Sequence, residues 1–169
     1  MPKAITAYVR LVDGVNRYVG LFAMYLVFAM MAILFYSSIS KTFLLPANWT
    51  LEMAQFTMAA YYILGGGYSL QIDSHVRMDL AYSRWSPRTR AVVDSVTVTF
   101  LIFFLAVLLI GGISSTGYAL RYGETSYSSW SPYMAPIKII MCVGITLTLL
   151  QAIAAFFRNL AEAIGRPIP

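Results

Sequence analysis

The stretch YVGLFAMYLVFAMMAILFYSSIS, residues 18–40, decides the fold class of this chain, because it contains no charged residue. Three further stretches share this property, at residues 53–72, 95–120 and 139–157. A helix needs about 20 apolar residues to cross roughly 30 Å of hydrocarbon, and all four stretches reach or nearly reach that length. Because backbone groups in lipid must pair within their own segment, each stretch is expected to be helical.

The sequence therefore predicts an all-α integral membrane protein with four transmembrane helices, at about 18–44, 51–72, 91–120 and 137–158, in a single membrane domain. The composition agrees with this class. Charged residues make up 11% of the chain, whereas a soluble domain carries about 25%. A cleaved signal peptide is not expected for the first stretch, because its apolar part is too long and no small-residue cleavage site follows it.

The residues before the first stretch form an amphipathic leader at about 3–17. Its apolar residues Ile5, Tyr8, Val9 and Val12 follow helical i, i+3, i+4, i+7 spacing. This pattern favours an N-terminal interfacial helix that lies on the cytoplasmic membrane surface, with its basic residues toward anionic lipid. A frayed tail is the alternative interpretation.

The distribution of Lys and Arg predicts the orientation. With four spans, the N-terminus, the middle loop and the C-terminus share one side of the membrane. Nine basic residues lie on that side: Lys3, Arg10, Arg17, Arg77, Arg84, Arg88, Arg90, Arg158 and Arg166. Three lie on the other side: Lys41, Arg121 and Lys138. This bias predicts cytoplasmic N and C termini, and it explains the net charge of +5 without any nucleic-acid partner.

Small residues cluster in the second and third predicted spans. The second span contains Gly65, Gly66, Gly67 and Ser69, and the third contains the adjacent pair Gly111 and Gly112. Small residues allow two helix backbones to approach closely, which is a common basis of helix packing in membranes. We therefore expect these residues to pack against a helix of this chain or of a partner subunit. A bend at the three glycines is the alternative.

The middle loop holds the most polar cluster of the chain. Its core consists of Asp73, His75, Arg77 and Asp79, in which Asp73/Arg77 and His75/Asp79 are i, i+4 pairs on a helix. One histidine and a few carboxylates in a basic loop are too few ligands for a metal site. The cluster is therefore interpreted as a hydrogen-bonded cap of the loop or as a contact with a partner subunit, with a proton relay as the weaker alternative.

The predicted spans lack the groups that catalysis or conduction would need. They contain no Asp, Glu, Lys, Arg or His in their interiors, whereas functional membrane sites usually carry such residues. One histidine cannot supply the axial ligands of a di-haem cytochrome, and one cysteine, Cys142, cannot form a disulfide pair within the chain. We expect no enzymatic activity, no catalytic residues, no cofactor and no metal, and interpret the chain as an accessory subunit of a larger membrane complex.

Several motifs resemble one known family. They are Trp49-Thr50-Leu51-Glu52, Leu64-Gly65-Gly66-Gly67-Tyr68-Ser69-Leu70, His75-Val76-Arg77-Met78-Asp79, Glu124 with Ser129-Trp130, Pro136-Ile137-Lys138 and Leu150-Gln151. Together they resemble the DctQ-like small membrane subunit of tripartite ATP-independent periplasmic (TRAP) transporters. The resemblance extends from the leader to about Arg158.

The resemblance implies a function and a location. In that family a periplasmic binding protein captures an organic acid, and a large membrane subunit moves it inward by an elevator mechanism driven by a sodium gradient. The small subunit binds the large subunit, enlarges its fixed scaffold and can aid docking of the binding protein. It implies a multi-pass protein of the bacterial inner membrane, in a heteromeric complex, with substrate and sodium sites in the large subunit.

Four residues outside the spans are candidates for contact with the periplasmic binding protein: Glu52, Arg121, Glu124 and Trp130. Two other functions remain open from the residues themselves. One is a membrane anchor or assembly subunit of a respiratory or other enzyme complex, and the other is a small channel or exporter that acts alone. The transported substrate is not determined by this chain.

Overall fold

The computed structural model describes residues 3–43, 45–72 and 87–163 of the chain. Within these ranges the protein consists of α-helices and connecting turns, without a β-strand. There are four described helices: α1 (Lys3–Phe43), α2 (Thr50–Gln71), α3 (Pro87–Tyr122) and α4 (Ala135–Ala163). The expected all-helical fold class is confirmed for this part of the chain.

Helix α4 is the centre of the bundle, because it packs against α1, α2 and α3. Its fully buried residues Ala152 and Ala154 have small side chains that allow neighbouring helices to come close. Helix α1 packs against α2 as well as α4, whereas α3 packs mainly against α4. The bundle is thus a triangle of α1, α2 and α4 with α3 attached to one side.

Three of the described helices are long and apolar enough to cross a membrane. The qualifying segments are Ile5–Phe43 in α1, Val92–Tyr122 in α3 and Ala135–Ala161 in α4. Helix α2 does not qualify, since glycine, tyrosine, glutamine and serine lower its hydropathy. Three of the four predicted segments are therefore candidate membrane-spanning helices by their length and composition.

The leader differs from its prediction. Residues 3–17 are helical, but they continue into the first apolar stretch as part of the single helix α1. The apolar residues Val9 and Val12 are buried against Ala154 of α4, so this face does not lie in a lipid surface. The expectation of a separate interfacial helix was wrong, because an apolar stripe that faces a helix has the same spacing as one that faces lipid.

Helices α1 and α2 form a hairpin through a connection of only a few residues. Ser40 Oγ donates a hydrogen bond to the Leu45 carbonyl at 2.7 Å, and Thr50 Oγ1 donates to Ser37 Oγ at 3.0 Å. The rings of Tyr36 and Trp49 stack with centroids 5.7 Å apart. These contacts hold the start of α2 against the end of α1, so the two helices run in opposite directions.

One end of α1 and α4 extends beyond α2. Residue Asn16 of α1 lies beside Gly67, and α2 ends about one turn later at Gln71. In the part of α1 before Asn16, Ile5, Val9 and Val12 pack along α4. The rings of Tyr8 and Phe157 pack edge to face, with their centroids 6.4 Å apart. We call residues 5–16 and 150–161 the stem.

Candidate functional site

The stem contains a pair of buried amides that joins the two ends of the sequence. Asn16 is 1% exposed and Gln151 is fully buried. Asn16 Nδ2 donates a hydrogen bond to Gln151 Oε1 at 2.8 Å and a second to the Val12 carbonyl at 3.1 Å. A buried amide without a partner is costly in an apolar environment, so this pairing fixes the rotation of α1 relative to α4.

A charge pair extends this contact toward the end of the stem. Gln151 Nε2 donates to Asp13 Oδ1 at 2.8 Å, and the Arg158 guanidinium donates to both carboxylate oxygens of Asp13. Both of the Arg158 bonds come from the same nitrogen, Nη2, and hydrogen bonds between two charged groups are stronger than those between neutral groups. We call Asp13, Asn16, Gln151 and Arg158 the polar junction.

Helix α2 reaches the polar junction through a glycine. A methyl group on Gly67 would overlap Oδ1 of Asn16, so only glycine allows α1 to lie this close. Among the described residues no hydrogen-bond donor reaches Asn16 Oδ1, and the Gly67 backbone occupies the space in front of it. The three helices of the triangle therefore meet at this point.

The predicted glycine cluster of α2 is divided between internal and open positions. Gly67 contacts α1, and a methyl group on Gly66 would lie 3.2 Å from Thr148 Oγ1 in α4. A methyl group on Gly65 would have no neighbour within 4 Å. Gly65 and Ser69 line a groove of about 380 Å³ between α1 and α2.

The predicted pair on α3 is divided in the same way. A methyl group on Gly112 would lie 3.2 Å from Cys142 Sγ of α4, whereas one on Gly111 would have no neighbour within 4 Å. Both glycines line a second groove of about 390 Å³ between α3 and α4, which also includes Lys138. Gly65 and Gly111 are therefore the two predicted packing glycines that face open space.

The four predicted periplasmic contacts lie in different environments. Glu124 forms an ion pair with Lys138 that ties the connection between α3 and α4 to the start of α4. We call this connection, residues 123–134, the outer loop after its predicted position. Arg121 lies in the last turn of α3 and is exposed, and Trp130 is 40% exposed. Glu52 lies in the first turn of α2 with one carboxylate oxygen buried and without a described hydrogen-bond partner.

The outer loop is an ordered hairpin and not a loose connection. An isolated bridge pairs Thr125 with Tyr133, and the Ser131 amide donates to the Ser128 carbonyl at 3.1 Å. Gly123 adopts φ 59°, the left-handed region that glycine enters without a steric cost. The loop thus presents Trp130 at a defined position at the end of the bundle.

The middle-loop motif of Asp73, His75, Arg77 and Asp79, which was predicted to be cytoplasmic, lies outside the described residues. Its predicted role remains a prediction. Among the residues that the structure does describe, no group of three or more metal-binding side chains comes together. The described polar side chains have structural contacts instead. Those of the stem connect α1 with α4, and those of the outer loop connect the loop with α4.

The polar junction was not predicted from the sequence, although one of its residues was visible. Gln151 is the strongly polar residue of the last apolar stretch, and Arg158 follows it at i+7 on the same helix face. Asp13 and Asn16 are likewise i, i+3 neighbours. These two polar pairs, one near each end of the sequence, could have indicated that the two helices contact each other.

One comparison with known proteins identifies a family. The family model described as "Tripartite ATP-independent periplasmic transporters, DctQ component" matches residues 30–162. This range covers more than three quarters of the chain and includes the glycines of α2 and α3, the outer loop and most of α4. No curated protein and no solved structure matches the chain.

Proposed function

Because the chain belongs to the DctQ family, the small membrane subunit of TRAP transporters, we propose that it binds the large membrane subunit and forms part of its fixed scaffold. The complete transporter would take up an organic acid with a sodium gradient as its energy source. In this proposal the substrate and ion sites lie in the large subunit, and this chain supplies a stable lateral surface.

The internal connections of the bundle are the observation that carries the scaffold role. A scaffold beside a moving domain must resist displacement of its own helices. Here α1 and α4 are joined by the polar junction, and α2 approaches both of them at glycines 66 and 67. Hydrogen bonds between helices are not replaced by lipid, so the triangle of α1, α2 and α4 is suited to act as one body.

We also propose that α2 is a fourth span and that both termini are cytoplasmic. Helix α2 has 22 residues, which at 1.5 Å per residue corresponds to about 33 Å, close to the thickness of the hydrocarbon layer. The short hairpin connection requires α2 to return along α1. Nine basic residues on one side of the four spans and three on the other support the orientation.

The open glycine grooves are the proposed contact sites for the large subunit. Gly65 and Gly111 each face space that a methyl group could enter without meeting this chain. A helix of the large subunit could lie in either groove with close backbone contact. Leucine at either position would extend into a groove from a Cβ that meets no atom of this chain within 4 Å, so it is suited to separate partner binding from folding.

Affinity purification from a membrane that contains the complete transporter tests the proposal. The unaltered chain is expected to retain a large multi-span subunit in equimolar amount, and Gly65→Leu or Gly111→Leu is expected to reduce that amount. Gly117→Leu is the matched control, because a methyl group on Gly117 also has no neighbour but lies outside both grooves. Retention of a cofactor-bearing enzyme instead would contradict the proposal and favour a membrane anchor.

A second part of the proposal is that the outer loop aids docking of the periplasmic binding protein. Charge reversal at Arg121 and Glu124 is expected to slow uptake. Because Glu124 is paired with Lys138, Glu124→Lys alone would also disturb the loop. The exchange Glu124→Lys with Lys138→Glu keeps an ion pair and changes the surface. Unchanged uptake in this double variant and in Arg121→Glu would exclude the docking role.

A further inference from the structure

The N-terminal part of α1, from the start of the stem to Tyr18, has two opposite faces. One face carries Val9, Val12 and Asn16 and is buried against α4. The other carries five residues at i, i+1, i+4, i+7 and i+8 spacing, which one side of a helix shares. They are Arg10, Leu11, Gly14, Arg17 and Tyr18. We call this set the cationic face.

The cationic face is open and retains its charge. Arg10 and Arg17 are exposed, Leu11 is 68% exposed and Tyr18 is 78% exposed. The nearby carboxylate of Asp13 is engaged by Arg158 of α4. Among the described residues no carboxylate pairs with Arg10 or Arg17, so within this part of the chain the two positive charges have no acidic partner.

The position of the face along α1 places it at a membrane boundary. Arg17 directly precedes the charge-free stretch 18–40, and aromatic residues such as Tyr18 are enriched at the headgroup level. Arg10 lies seven residues earlier, about 10 Å along the helix axis. That distance is comparable to the screening length at physiological salt, about 8 Å, so both arginines can interact with charges at the headgroup level.

We propose that the cationic face binds the headgroups of anionic phospholipids. The partner follows from charge complementarity, because phosphate-bearing headgroups would neutralise the two arginines while Leu11 and Tyr18 contact the upper part of the acyl region. The sequence pattern had indicated a leader helix lying on the membrane surface, with its apolar stripe toward the membrane and its basic residues toward anionic lipid. The structure places that stripe on α4 and leaves the opposite side of the helix for lipid.

A fluorescence measurement on the full chain in nanodiscs tests this proposal. The fluorophore is attached at Gly14→Cys in a Cys142→Ala background, since a methyl group on Gly14 meets no neighbour within 4 Å. Quenching by spin-labelled phosphatidylglycerol is compared with quenching by spin-labelled phosphatidylcholine. Because both leaflets carry the same lipids and no other subunit is present, the result is independent of the orientation and of the transport role.

The parent protein is expected to be quenched more by phosphatidylglycerol than by phosphatidylcholine. Replacing both arginines by glutamine should bring that ratio toward one, by at most about fivefold for each charge. Arg10→Lys with Arg17→Lys should keep the ratio, because lipid attraction depends on charge. Lys41→Gln, at the other end of the same helix, is the control and should leave it unchanged.

Two results would overturn the proposal. A quenching ratio of one in the parent protein would show that the face does not attract anionic lipid, and an acidic protein surface would then be the better partner. A ratio above one that persists in the double glutamine variant would show that the enrichment arises elsewhere on the chain.

Discussion

Helix α4 meets α1 and α3 in two different ways. Toward α1 it places Gln151 and Arg158 in the polar junction, where the described hydrogen bonds connect four side chains. Toward α3 it packs mainly apolar residues such as Ile145 against Leu105, with a polar contact of 3.3 Å between Thr116 and Cys142. One contact is therefore specified by hydrogen bonds and the other by shape.

The difference matters because the surroundings are lipid. Lipid tails are as apolar as leucine, so burial of leucine between two helices gains little from the hydrophobic effect. A hydrogen bond between buried amides has no substitute in lipid. We infer that α1 is fixed firmly to α4, whereas α3 is held mainly by apolar packing and is the helix whose position a partner subunit can influence most.

The largest effect is expected where two backbones touch. A methyl group on Gly144 of α4 would overlap the side chain of Ile63 and come within 2.9 Å of its carbonyl oxygen. Gly144→Ala should therefore separate α2 from α4 and lower the free energy of unfolding by about 1–3 kcal/mol. Denaturation of the purified protein in increasing dodecyl sulfate measures this value. Gly65→Ala on α2 is the matched control and should have little effect.

Loss of the polar junction should have the second largest effect on the free energy of unfolding. Gln151→Leu leaves Asn16 and Asp13 without their shared partner, and we expect it to lower the free energy of unfolding by about 1–2 kcal/mol. The same denaturation assay measures it. In the Asn16→Leu background the effect of Gln151→Leu should be smaller, and equal effects in both backgrounds would show that the two amides do not cooperate.

Truncation at the apolar contact should have a smaller effect than loss of the amide. Leu105→Ala removes packing against α4. Because a leucine side chain is about as stable in lipid as between two helices, we expect the free energy of unfolding to fall by about 1 kcal/mol or less. A decrease larger than that of Gln151→Leu would reverse the proposed ranking of the two contacts.

The smallest effect is expected at the outer loop. Glu124 and Lys138 form an ion pair whose side chains are partly exposed, and exposed pairs contribute about 0–1 kcal/mol. Glu124→Gln should change the unfolding free energy by no more than this amount, and added salt should reduce the difference further. A salt-independent loss would indicate that the pair is more shielded than its exposure suggests.

The sequence predicted the helical membrane class because long charge-free stretches leave few other folds available. It also identified the apolar stripe of the leader through Val9 and Val12. It could not determine what that stripe contacts, since the periodicity is the same for lipid and for a helix. In the structure α1 continues across residue 17, and its residues before that point pack along α4.

The candidate sites were predicted less completely for a related reason. Adjacent glycines indicate that helices pack closely. Which glycine makes the contact depends on the rotation of α2 about its axis, which places Gly67 against Asn16 and Gly65 toward a groove. Gln151 stood out as polar, yet its partners lie more than 130 positions away in the sequence. Spacing within one helix carries no information on such long-range pairs.

Photo-crosslinking in cells that express the complete transporter tests most directly whether this subunit binds the large subunit through its outward apolar surfaces. A photoreactive phenylalanine is placed at Phe28 on α1 and, separately, at Phe103 on α3, which are 67% and 70% exposed. The account predicts a light-dependent adduct with the large membrane subunit from at least one position. Adducts with lipid alone at both positions would contradict it.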